Sequence, residues 1–207
     1  MLPKTIEQSG TMTMVARRRL LIVGAGGHGR AVAEAADLGN EFEVAGFVDD
    51  GIQPGRRVGN STVLGPIAVL ASWRSHADIA IVAIGSNALR EELHRRVAAA
   101  GFALATVRHP AAWVSPSAIV GPGCAVMAGA VIGTEARLGQ GAIVNCGAAV
   151  DHHCTVEDFG HLGTGACMAG GSILGRGAWM QAGSALGYRV AVAPGEVLQP
   201  GRSLEQH

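Results

Sequence analysis

The hydrophobic rhythm of the chain changes near its midpoint. From Val114 onward an aliphatic side chain returns at every sixth position, through Val120, Val126, Ile132 and Leu138 to Leu198 and Leu204, sixteen in succession. Two residues before each of the first thirteen, from Ala112 to Ser184, stands only Ala, Cys, Gly or Ser. A period of six matches neither an amphipathic helix nor a half-buried strand. A large and a very small side chain in fixed alternation are what the inside of a narrow prism requires, with one hexad per wall and three walls per coil. Glycine stands three residues before the aliphatic position at 123, 129, 141, 147, 165, 171, 177, 183, 195 and 201, where a sharp corner needs positive φ. The pattern predicts a parallel β-helix of slightly more than five coils, stacked roughly 4.8 Å apart.

The first half reads differently. Apolar runs at Leu20–Val23, Val44–Val48 and Ile79–Ile84 alternate with helix-forming stretches at Arg30–Leu38 and from Asn87 to about Ala100. Such alternation predicts a Rossmann-like α/β unit with a parallel sheet. It stops near His109-Pro110. The expected organisation is therefore a loose tail at 1–18, a Rossmann-like domain at 19–108 and a β-helix at 109–207. The run after Arg17-Arg18-Arg19 is soon cut by glycines and His28, so it reads as a strand and not as a signal peptide, and no membrane span follows.

Ligands of such sheets sit beyond the carboxyl ends of the strands. Three loops converge there: the turn Gly24-Ala25-Gly26-Gly27-His28-Gly29, the pair Asp49-Asp50, and Gly85-Ser86-Asn87. Gly24, Gly26 and Gly29 satisfy a dinucleotide motif, but only about half of a dinucleotide fold precedes the solenoid. A nucleotide-sugar fits better, because glycines admit phosphate to the backbone and Asp49 or Asp50 can accept hydrogen bonds from ribose or base.

Charge narrows the choice further. Sixteen basic residues balance sixteen acidic ones, so no basic field exists to hold nucleic acid or an anionic membrane. Cys124, Cys146, Cys154 and Cys167 form no C-x-x-C pair, and reduced thiols of a cytoplasmic protein are expected.

The corner rule is broken at Ser117, Glu135, His153, Phe159 and Arg189. With three hexads per coil, Glu135, His153, Gly171 and Arg189 fall in one column, and Thr134, His152, Gly170 and Tyr188 in the column beside it. One edge is thereby polar and ionisable. His152 or His153 could take a proton from an amine or hydroxyl attacking a thioester, and the Gly170 N–H could donate to the thioester oxygen. The bland alternative is a pair of exposed histidines lining a subunit seam. His161, half a coil on, points from another side with Trp179 one coil above it, and in a three-fold trimer that side can meet a neighbour's His152 corner.

The motifs Gly24-Ala25-Gly26-Gly27-His28-Gly29, Phe47-Val48-Asp49-Asp50, Ala83-Ile84-Gly85-Ser86-Asn87, His109-Pro110 and Asn145 to Cys154 (NCGAAVDHHC) together resemble the sialic acid O-acetyltransferase type family of hexapeptide-repeat acyltransferases, close to the bacterial N-acetyltransferases of nucleotide-linked 4-amino-4,6-dideoxy sugars. The resemblance implies left-handed coils, a cytoplasmic homotrimer, acetyl-coenzyme A as acyl donor, no metal, and direct attack by the sugar amine. It puts the catalytic histidine on His152, a second active-site histidine on His161 and a backbone contact to the acyl-coenzyme on Gly170, with Trp179, Tyr188 and Arg189 as further coenzyme candidates. Gly24, Gly26, Gly27, His28, Asp49, Asp50, Gly85 and Asn87 become candidates for the nucleotide-sugar pocket. Members commonly carry an acidic residue just after the catalytic histidine, where this chain has His153; Asp151 and Glu135 are the candidates to orient His152. Further coils and a Gly-x-Pro-Ala tail, frequent in the family, are not seen before the sequence stops at Leu204-Glu205-Gln206-His207. Rival readings are O-acetylation of a sialic acid or other sugar and a non-catalytic nucleotide-sugar scaffold. A β-helical carbonic anhydrase is disfavoured, because His152, His153 and His161 lack the usual H-x4-H spacing.

Overall fold

The computed structural model describes residues 16–206, so most of the expected tail lies outside the described residues. The first sheet has the order β3-β4-β2-β1-β5-β6, built from β1 (Arg18–Val23), β2 (Phe42–Val48), β3 (Arg57–Val58), β4 (Ser61–Gly65), β5 (Ile79–Val82) and β6 (Ala103–Leu104). Leu20 to Val23 are wholly buried, as a central parallel strand covered on both faces must be. Leu20 and Ile22 pack with α1 (Gly27–Leu38), whereas Leu21 and Val23 pack with Leu93 and Val97 of α2 (Asn87–Ala99).

Two features depart from the simple alternation. The sheet edge is an antiparallel hairpin, β3 with β4. The crossover from β4 to β5 runs through a 3₁₀ segment, Ile67–Ser75, rather than an α-helix.

Seventeen two-residue strands follow, from Val107–Arg108 to Ser203–Leu204, arranged in three parallel sheets of six, six and five strands. They form a left-handed β-helix. Partners lie one coil apart, as in Ile143 with His161 and His161 with Trp179. The inward aliphatics from Val126 to Leu198 and the small residues beside them make one continuous core. Strand pairing begins at Val107, ahead of the first aliphatic hexad, because Arg108 occupies the inward slot below Val126. An exposed charge in that slot caps the open end of the solenoid.

All ten corner glycines have positive φ, and four of the five exceptions adopt the same conformation: Glu135, His153, Phe159 and Arg189, at 57–58°. Ser117 does not.

The two units share a seam. Val107, Ala125, Met127 and Ile143 of one solenoid wall belong to the same apolar cluster as α1. Arg90 of α2 is fully buried and crosses the seam, donating from Nε to Gly141 O (2.8 Å) and from Nη2 to Phe159 O (2.8 Å), while Nη1 donates to Ile84 O (3.0 Å). The guanidinium is thus satisfied by carbonyl oxygens and has no carboxylate partner among the described residues.

Candidate active site

The polar edge predicted from the hexad count exists. The His153 N–H donates to Thr134 O (2.9 Å), Gly171 N–H to His152 O (3.0 Å) and Arg189 N–H to Gly170 O (3.1 Å), which tie successive coils at this corner. His152, His153, Gly170, Gly171, Tyr188 and Arg189 line one open pocket of about 370 Å³. A Cβ on Gly170 would lie 2.5 Å from His152 Nε2, so the imidazole rests where any larger residue would stand. The Gly170 N–H has no acceptor among the described residues.

Around His152 the contacts form a row. His152 Nδ1 lies 2.9 Å from His153 Nδ1, and His153 Nε2 lies 3.2 Å from Glu135 Oε2. Asp151 Oδ1 accepts the His152 backbone N–H at 2.7 Å, while its Oδ2 is 3.8 Å from His152 Nε2.

His161 is not on a free side of the prism. It is 7 % exposed and stacks on Trp179 (5.3 Å between centroids, 14° between planes), on the wall covered by the chain's own α/β unit. Burial, followed by the positive charges of Arg90 and His28, pushes its imidazole down to about 3, with the Gly85 backbone pulling weakly the other way. His161 Nδ1, Trp179 Nε1 and His28 Nε2 are buried without a hydrogen-bond partner among the described residues. Burial and Arg90 likewise hold His28 at about 4. Neutral rings facing a junction without partners are what a ligand with polar edges would complete.

The glycine turn opens α1. Gly26 is the N-cap with no side-chain cap, no acidic residue occupies the first turn, and a Cβ at Gly26 or Gly27 would meet open space. The first N–H groups of the helix therefore point outward, an arrangement suited to phosphate. Gly29 is packed instead: a Cβ there would collide with the Gly24 carbonyl. Asp49 Oδ2 accepts from Ala25 N–H (2.7 Å) and Oδ1 from Gly51 N–H (2.8 Å), so this carboxylate shapes the turn. Asp50 is exposed and spends Oδ1 on Ile67 N–H (2.8 Å). Asn87 is committed to the seam, with Nδ2 donating to Gly177 O (2.8 Å) and Oδ1 accepting from Arg90 (2.8 Å).

Arg90 escaped the sequence reading. Its signal was positional: Arg90, Leu93, His94 and Val97 are the buried residues of α2, so the charge sits on the inward stripe of the helix. Among the described residues no group of three or more His, Cys, Asp or Glu is placed to hold a metal, and no helix is long and apolar enough to cross a membrane.

Comparison with known proteins accords with this geometry. Residues 19–97 match the family described as the PglD N-terminal domain. The UDP-N-acetylbacillosamine N-acetyltransferase of Bacillus subtilis (strain 168) is 32% identical over 108 residues, covering 51% of this chain and 50% of that protein; the matched stretch spans about half the length of that curated relative. The acetyltransferase domain of PglB from Neisseria gonorrhoeae FA1090, solved in complex with acetyl coenzyme A, is 35% identical with a TM-score of 0.85, over 92% of this chain and 94% of that one. PerB from Caulobacter crescentus, solved in complex with CoA and GDP-perosamine, is also 35% identical with a TM-score of 0.85, over 93% of each chain. Similarity of this extent across both units shows that the chain belongs to the family of nucleotide-linked amino-sugar N-acetyltransferases.

Proposed function

We propose that the protein transfers an acetyl group from acetyl-coenzyme A to the amine of a nucleotide-linked amino sugar, such as a UDP- or GDP-4-amino-4,6-dideoxy sugar, in surface glycan synthesis. The observation that carries this reading is the His152 ring, half-exposed over Gly170 in a pocket that also holds Tyr188 and Arg189. His152 accepts the amine proton as the C–N bond forms and returns it to sulfur as the C–S bond breaks, so no acyl-enzyme is needed. The Gly170 N–H stabilises the charge developing on the thioester oxygen. Tyr188 and Arg189 offer an aromatic face and a cation to the coenzyme.

The nucleotide-sugar lies at the other side of the site. The uncapped start of α1 at Gly26 and Gly27 takes the diphosphate, Asp50 takes a hydroxyl or base edge, and His28, Gly85 and His161 line the junction. Asp49 and Asn87 support this pocket by holding its walls.

Bringing both halves together needs a second copy. The solenoid wall next to the His152 corner presents an uncharged outward column of Trp113, Val131, Ala149, Cys167, Ala185 and Ser203, in which Trp113 and Val131 are 63% and 42% exposed. Burying it about a three-fold axis makes a homotrimer with His152 at each seam. Acetyl-coenzyme A as the acyl donor supports a cytoplasmic reaction.

A turnover assay that detects the released thiol, offering amino-sugar nucleotides and then sialic acids, tests the reading. Turnover only with the amino sugars is expected, and turnover only with sialic acids would replace it by O-acetylation. His152→Ala should lose roughly 10²-fold or more of kcat. An unchanged rate, or tight nucleotide-sugar binding with no turnover in the intact protein, would leave a scaffold.

A further inference from the structure

We propose that Glu135, acting through His153, fixes the tautomer of His152 and thereby decides which ring nitrogen is free to take the substrate proton. This assignment rests on His152 being the general base of the reaction above. It makes Glu135 and His153 positioning residues, since neither needs to touch substrate.

With His153 neutral, the proton count leads to a single arrangement. Two Nδ1 atoms 2.9 Å apart can form a hydrogen bond only if one of them carries the proton. The Glu135 carboxylate has no proton to give, so at 3.2 Å it accepts from His153 Nε2–H. A neutral His153 then has a bare Nδ1, and the shared proton belongs to His152 Nδ1. His152 Nε2, on the ring edge over Gly170, is left with its lone pair.

Asp151 does not compete for this role. Its Oδ1 is engaged by the His152 backbone N–H at 2.7 Å, and 3.8 Å from Oδ2 to His152 Nε2 is too long for a hydrogen bond. The other charged group at this corner is Arg189, two coils above His153, whose Cγ lies 3.3 Å from the Cβ position of Gly171 on the coil between them.

Local backbone conformation points the same way. Glu135 and His153 both stand in left-handed corners, at φ 57° and 58°, where ten other corners use glycine. A side chain in that conformation is strained, because Cβ crowds the following carbonyl oxygen. Two such residues on adjacent coils, with their side chains in contact, mark a place where the fold gives up stability for a defined arrangement of protons.

In the reaction the amine proton passes to His152 Nε2, which makes the ring cationic while its Nδ1–H bond to His153 persists. The Glu135 carboxylate, one ring away, stabilises that cation, and the Nε2 proton then leaves on the thiolate. No proton has to move along the row.

The test compares Glu135→Ala, Asp151→Asn and the double variant Glu135→Ala/His153→Glu in the full-length protein. Histidine ¹⁵N NMR of the ligand-free protein reads the His152 tautomer, and steady-state kinetics reads kcat and KM. Expected are a His152 protonated on Nδ1 in the wild type, a shift toward the Nε2–H tautomer in Glu135→Ala, and a fall in kcat of about tenfold or more with KM values unchanged. The double variant should regain most of the lost kcat, because a carboxylate at 153 can accept directly from His152 Nδ1–H, and Glu135 shows that this corner tolerates glutamate. Asp151→Asn should keep the wild-type tautomer. An unaltered tautomer in Glu135→Ala, or a tautomer lost in Asp151→Asn, would overturn the proposal. The NMR arm reads the relay even if no acetyl transfer is found, so failure of the relay and failure of the proposed reaction remain distinguishable.

Discussion

Gly170 shows how much a single side chain can depend on the absence of another. Its φ is not positive, so alanine suits the backbone, yet the added methyl would press on the His152 ring. Gly170→Ala should therefore cost at least about tenfold in kcat while leaving the thermal midpoint within a few degrees, which paired kinetics and calorimetry would reveal. His152, His153 and Glu135 could be read as neighbours from counting alone, because a coil of fixed length converts sequence separation into height. What counting did not show was their bonding order. Asp151 and Glu135 both offer a carboxylate, and only the distances separate one that caps a backbone N–H from one that meets an imidazole. Asn87 illustrates the opposite limit: it opens α2 just after a ligand-facing loop, but Gly177 and Ala178, which it holds, are 90 and 91 residues away in sequence.

Among elements, the corner and the buried helix face make different demands. Glu135→Gly should raise stability by about 1 kcal/mol, through release from the left-handed conformation, while lowering activity; denaturant midpoints set against kcat would show the exchange. Phe159 at its own left-handed corner is compensated differently, by edge contact with His94 (5.1 Å) and by the Arg176 guanidinium over its ring (5.3 Å). For α2, Arg90→Met should destabilise the protein by about 3 kcal/mol or more, since the buried carbonyls of Ile84, Gly141 and Phe159 would lose their donor. Urea denaturation monitored by circular dichroism would measure it. The β-helix was legible because its interior repeats one steric requirement on every wall. The β3–β4 hairpin and the 3₁₀ crossover were not, since a two-residue strand carrying Arg57 and a segment with no helical apolar stripe announce nothing. Arg90 was missed because a charge in a helix is ordinarily solvated, and here carbonyls from two units replace the water.

For the whole molecule, the seam sets the response to acid. His28 and His94 are held at about 4 and His161 at about 3, in each case by burial first and by Arg90 second. In the unfolded chain these rings titrate near the ordinary histidine value of about 6.5. The unfolded state therefore binds more protons below that pH, and stability falls as pH drops from about 6.5 toward 4, while the full contribution is kept above 6.5. Calorimetry at pH 7.5 and pH 5 should show the midpoint falling at the lower pH; a flat profile would mean that the three rings are hydrated. The fixed length of a coil has one more consequence, for how such a chain can change length. Removing residues 171–188, a complete turn, preserves the inward phase and seats Arg189 directly above His153 in the place of Gly171, without disturbing a wall. Removing a single residue between His152 and Arg189 instead turns every later side chain away from its partner. Insertions and deletions here are quantised, and each allowed step redesigns the edge as a unit.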